Sequence, residues 1–61
     1  MDYEKMKRLR EAAGMSQVEL GKKVFVTSNM ICQIERGRKK PSLSLLEAIA
    51  EALGVRTAEL L

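Results

Sequence analysis

The chain has 61 residues, 46% hydrophobic and 31% charged, with 11 Lys and Arg against 8 Asp and Glu for a net charge of +3. One cysteine and no histidine exclude an internal disulfide framework and leave no metal or cofactor implied, so so short a chain must hold itself together by dense helical packing or by pairing. Without histidine, paired carboxylates at a cleft or a phosphate loop, general acid–base chemistry lacks its usual residues, which argues against an enzyme.

The first helix is predicted over residues 2–13, where Met6, Leu9 and Ala13 recur at i, i+3 and i+7 among Lys5, Lys7, Arg8 and Arg10. Gly14 closes it, and Lys5 and Lys7 read as solvated helix formers. Ser16 and Glu19 then form a capping box that starts a second helix at Gln17. The free N–H groups and partial positive charge of such a terminus suit a phosphate, to which Gln17 could add a side-chain donor. Leu20 and Val24 share one face of this helix. Gly21 between them costs about 1 kcal/mol against alanine unless another element packs close, and a third helix crossing here is such an element.

Thr27 is a suitable N-cap for that third helix, Ser28 to Arg36. Ile31 and Ile34 point inward and, with Leu20, Val24 and Val26, make the small shared core of a helix-turn-helix over Ser16 to Gly37. Ser28, Asn29, Cys32 and Gln33 are left together on the opposite face. Asparagine and glutamine carry a donor and an acceptor and can pair bidentately with adenine in the major groove. An outward face of short polar side chains without Lys or Glu is unusual for a helix that is merely solvated. Cys32 has no histidine or second cysteine to activate it and reads as a small groove-facing or packing residue.

Arg36-Gly37-Arg38-Lys39-Lys40 places four cations in five residues, around the glycine that stops the third helix and before Pro41. This is the strongest electrostatic signal in the chain and suits a phosphate clamp. A fourth helix is predicted over residues 43–53 from Leu45, Leu46, Ile49, Ala50 and Leu53, capped by Ser42 or by Ser44 with Glu47, and ended by Gly54. Val55 to Leu61 predicts a last short helix, in which Val55, Leu60 and Leu61 are candidates for a two-fold interface as an alternative to core.

No apolar run approaches the roughly 18 residues of a membrane span and no signal-peptide pattern opens the chain. A lone cysteine fits a reducing setting, so a soluble cytoplasmic protein is expected, with no membrane and no evident small-molecule ligand. Residues 1–40 carry ten Lys and Arg against five Asp and Glu, whereas residues 41–61 carry one against three. That asymmetry suggests a basic face and a polyanion partner. Tyr3 and Phe25 are the only aromatics, too few for the stacking platforms of single-strand binders. Neither repeats nor linkers interrupt the pattern, and a single domain over residues 1–61 is expected.

Ser16-Gln17, Leu20, Val24, Val26, Ile31 and Ile34-Glu35-Arg36-Gly37, followed by Lys40-Pro41-Ser42-Leu43 and Ala52-Leu53-Gly54-Val55, form a pattern that resembles the Cro/Xre-type, phage-repressor-like helix-turn-helix family. The resemblance extends from about Met6 to Leu61. It implies an all-α, lambda-repressor-like bundle of five short helices that binds duplex operator DNA, usually as a dimer, as a transcriptional repressor or other regulator at a prokaryotic or phage nucleoid. It also implies Ser28, Asn29 and Gln33 on base edges, with Cys32 beside them, and Gln17, Arg38 and Lys40 at phosphates. Thr27, Lys39 and, more weakly, Arg10 join the backbone-contacting set. A protein-interaction module on the same fold, coactivator-like or antitoxin-like, is the alternative.

Two departures from the family pattern stand out. The family usually has alanine where this chain has Gly21, and in the turn a glycine where it has Phe25. That turn glycine commonly takes a left-handed conformation, which costs a bulky residue about 1–2 kcal/mol. Either Phe25 folds back over the gap left by Gly21 and recovers burial, or the turn differs from the family's. Arg56 also replaces a small polar cap, so the last helix is expected to fray or to begin near Thr57.

Overall fold

Helix starts are set by short oxygen-bearing side chains. The Asp2 carboxylate accepts the Lys5 N–H at 2.9 Å, Thr27 Oγ1 accepts that of Met30 at 3.2 Å, and Ser42 Oγ accepts that of Leu45 at 3.2 Å. Ser16 and Glu19 bond each other's backbone N–H reciprocally, both at 3.0 Å. The Ser16 N–H, and secondarily the Ser16 hydroxyl, hold the Glu19 carboxyl below its ordinary value of 4.5, so its share of the cap is present above that value and is lost as pH falls through the folded-state one. In the computed structural model, which describes residues 2–61, the caps launch α1 (Tyr3–Ala12), α2 (Gln17–Val24), α3 (Ser28–Glu35) and α4 (Leu43–Leu53), followed by a 3₁₀ helix at Thr57–Leu60.

The all-α, lambda-repressor-like architecture is as expected, but the fifth helix is a single 3₁₀ turn. Arginine at its N-cap has no side-chain oxygen to offer, and only the reverse bond forms, from the Arg56 N–H to the Glu59 carboxylate at 3.0 Å. Four residues with half a capping box do not nucleate an α-helix. At α4, Ser42 rather than Ser44 is the cap. No helix among the described residues is long and apolar enough to cross a membrane.

Helices of eight to eleven residues do not persist alone in water; their buried faces stabilise them. Met6, Leu20, Val24, Ile31, Ile34, Leu46, Ile49, Ala50 and Leu60 form one core, with Leu9, Val26, Leu45 and Leu53 packed on its margin. On α1 the inward stripe differs from the predicted one: Ala13 is exposed and Arg10 is buried beside Met6. The chain ends meet where the Asp2 N–H donates to the Leu60 carbonyl at 2.9 Å.

The α2–α3 turn shows why position 21 is glycine. A β-carbon there would stand 2.6 Å from the Val26 carbonyl oxygen and 3.4 Å from the Ser28 nitrogen. Turn backbone therefore fills the space at Gly21, and the expectation that the Phe25 ring would fill it fails. Phe25 instead takes the left-handed conformation at φ 61° and ψ 39°, with its ring 94% exposed. Phe25→Gly should therefore stabilise the domain. Relief of left-handed strain is worth about 1–2 kcal/mol, and the extra unfolded-state freedom of glycine takes back roughly 0.5–1 kcal/mol. The thermal midpoint should rise by about 4–8 °C for each kcal/mol that remains. A lowered midpoint in calorimetry would show instead that the ring contributes packing.

Candidate nucleic-acid interface

Burial of Ile31 and Ile34 fixes which side of α3 faces out. Asn29 is exposed, while Ser28, Cys32 and Gln33 on the same face are half-buried. Among the described residues, no hydrogen bond engages the side chains of Ser28, Asn29 or Gln33, so their donors and acceptors remain available. Thr27 is exposed at the start of α3; its oxygen caps the helix, which leaves its hydroxyl proton free to donate.

Behind this face lies a charged network that the sequence reading missed. Arg10 is not at a phosphate position. Its Nε donates to Glu35 Oε2 at 2.7 Å, its Nη2 to Glu35 Oε1 at 3.2 Å, and its Nη1 to the Met15 carbonyl at 2.8 Å. The two side chains are only 9% and 3% exposed. The guanidinium is thus buried and engaged inside the protein, and the expectation of an Arg10–phosphate contact is corrected: helical phase turns it toward α3. Its bond to Glu35 pushes the guanidinium above its ordinary value, so the arginine's own share of the pair is lost only as pH rises through its folded-state value.

Glu35 has a second duty. Its Oε1 also accepts a hydrogen bond from Gln17 Nε2 at 3.1 Å, which ties the start of α2 to the end of α3. An amide nitrogen has two protons, and the one not given to Glu35 stays available beside the free N–H groups of the α2 terminus. Glu35 and Arg10 are therefore positioning residues for Gln17. The signal that could have found them is an opposite charge on each of two apolar faces: Arg10 four residues after Met6, and Glu35 four residues after Ile31.

The basic loop is built onto α3 itself. Gly37 adopts φ 72° and donates its N–H to the Ile34 carbonyl at 2.9 Å, and the Tyr3 ring lies so close that a β-carbon on Gly37 would be 3.2 Å from it. Beyond it the N–H groups of Arg38 and Lys39 both donate to the Gln33 carbonyl, at 2.9 and 3.3 Å. The cations are thereby anchored to the residue that ends the polar face. Arg36, Arg38, Lys39 and Lys40 are all exposed, and the ion pairs among the described residues, Arg8–Glu4 and Arg10–Glu35, involve none of them.

The C-terminal candidates separate. Leu60 is fully buried and belongs to the core, so its expected place in an interface is corrected: the 3₁₀ turn points it back against α1 and α4. Val55 is half-buried against the core and Leu61 is exposed.

A family model described as helix-turn-helix matches residues 6–60. The immunity repressor protein of Bacillus phage phi105 is 38% identical over 55 residues, which cover 90% of this chain and 38% of that protein. An HTH-type transcriptional regulator of Methanothermobacter thermautotrophicus is 47% identical over 45 residues, covering 74% and 65%. The chain thus spans less than two thirds of the length of these two relatives. Among solved structures, SinR, the master regulator for biofilm formation, in complex with DNA superposes with a TM-score of 0.89 at 31% identity, covering 98% of this chain and 97% of that one. The restriction-modification controller protein C.AhdI of Aeromonas hydrophila gives a TM-score of 0.90 at 29% identity, covering 97% and 86%.

Proposed function

The chain belongs to the Cro/Xre-type, phage-repressor-like helix-turn-helix family, and from that membership we propose that it is a sequence-specific, double-stranded DNA-binding transcriptional regulator without catalytic activity. In this reading α3 lies in the major groove, with Ser28, Asn29, Cys32 and Gln33 toward base edges. Gln17, Thr27, Arg38, Lys39 and Lys40 hold the backbone and set the register. The observation that carries it is the combination on one side of the fold: a polar face with unspent hydrogen-bonding groups, bounded by the α2 N-terminus and by a loop of unpaired cations bonded to Gln33. The SinR–DNA complex, similar over almost the whole of both chains, supports the same assignment.

A homodimer on a two-fold operator completes the proposal, with half-sites about 34 Å apart and Val55 and Leu61 at the C-terminal end as interface residues. The test is a binding selection from randomised duplexes, followed by titration of the selected site across salt concentrations. If each subunit neutralises about four to six phosphates, the logarithm of the binding constant falls with that of salt with a slope of roughly −0.9 per phosphate. Asn29→Ala or Gln33→Ala should relax preference at one base position by about 1–3 kcal/mol. A flat salt response, or selectivity that survives both substitutions, would overturn the assignment and favour the protein-interaction reading.

A further inference from the structure

Among the described residues Phe25 alone combines a left-handed backbone outside glycine with a ring 94% exposed. Both features are unfavourable in the isolated chain; the Phe25 and Val26 N–H bonds to the Gly21 carbonyl hold the backbone, but the exposed ring has no such offset. The ring stands at the mouth of a shallow groove between the end of α2 and α4, lined by Lys23, Val24, Phe25, Ala48, Glu51 and Ala52. Lys23 on one lip and Glu51 on the other are exposed, and neither takes part in an ion pair among the described residues.

A two-fold contact between identical chains must be self-complementary, each residue meeting in the partner the residue that meets it. This patch carries what such a contact needs: an apolar knob beside a groove whose lining includes one cation, Lys23, and one anion, Glu51. We propose that the face pairs two copies of the chain about a two-fold axis, the Phe25 ring of each seated in the groove of the other and Lys23 opposite Glu51 at both ends. A partner of one predominant charge fits less well, because it would set a like charge against Lys23 or against Glu51.

The groove is lined by none of the α3 polar residues, the basic loop, Val55 or Leu61. The contact therefore uses other residues than DNA binding or a C-terminal dimer would. The groove is lined by six residues per chain, against the roughly 20–30 a side of a stable interface. The pairing is accordingly weak, saturating only toward millimolar protein.

Sedimentation velocity and amide chemical shifts followed from micromolar to millimolar protein, without DNA, test it. Concentration-dependent shifts are expected at Lys23 to Phe25 and at Ala48 to Ala52. Phe25→Gly should weaken association about tenfold while raising the thermal midpoint, so that the loss cannot come from unfolding. Lys23→Glu and Glu51→Lys should each weaken pairing, and the two together should restore it. Absence of self-association at millimolar protein, association unchanged by Phe25→Gly, or a double charge swap no better than either single one would each overturn the proposal.

Discussion

Replacing Glu35 with alanine is expected to remove most of the stability of the domain. Truncating one partner of a buried pair strands the other, and the cost is about 3–5 kcal/mol. A chain of this length has in total roughly 3–9 kcal/mol. Glu35→Ala leaves the Arg10 guanidinium, 9% exposed, with only the Met15 carbonyl as partner. Urea denaturation should show the midpoint collapse or vanish.

The paired change Arg10→Met with Glu35→Leu should instead be close to neutral, because well-packed apolar groups replace a desolvated pair without stranding a charge. That double variant isolates function from stability. Gln17 keeps its place at the α2 N-terminus but loses the acceptor that holds its amide at 3.1 Å. On DNA it should bind more weakly, with the salt slope unchanged because a neutral amide displaces no counterion, while base preference is kept. A stable double variant with unaltered affinity would show that Glu35 does not position Gln17.

The helix-turn-helix was legible because its cues are local. Ser16 with Glu19, the cap at Thr27, and the spacings of Leu20 with Val24 and Ile31 with Ile34 all act within a turn or two of chain, and the structure realises each of them. The outward polar face followed by subtraction. The rest depended on which elements meet. Arg10 sits among Lys5, Lys7 and Arg8 and reads as one more solvated cation until α3, 25 positions along, brings Glu35 against it. Leu60 reads as an exposed terminal leucine until the chain ends are joined at the Asp2 N–H. Phe25 has no cue in its own periodicity, since its conformation is imposed by how closely α3 must return to Gly21.

That close return makes the effect of Gly21→Ala opposite to the one helix propensity gives. In an open helix the change would stabilise by about 1 kcal/mol. Here the new β-carbon would stand 2.6 Å from the Val26 carbonyl oxygen, and Val26 cannot simply withdraw, because its own N–H donates to the Gly21 carbonyl at 2.9 Å. The strain must pass into the turn dihedrals, where Phe25 already occupies the small left-handed region that a side chain tolerates. Overpacking of this kind costs about 1–3 kcal/mol, and with no slack in the turn the upper half of that range is expected. Adding Phe25→Gly should give the turn the dihedral freedom to lift the Val26 carbonyl away. The two changes should then combine to less destabilisation than their sum, with a coupling of about 0.5–3 kcal/mol in a double-mutant cycle. Strict additivity would mean that the turn backbone does not carry the clash. The same turn sets α3 against the α2 terminus, so Gly21→Ala alone should also displace Asn29 and Gln33 relative to Gln17 and weaken DNA binding beyond what its loss of folded protein explains.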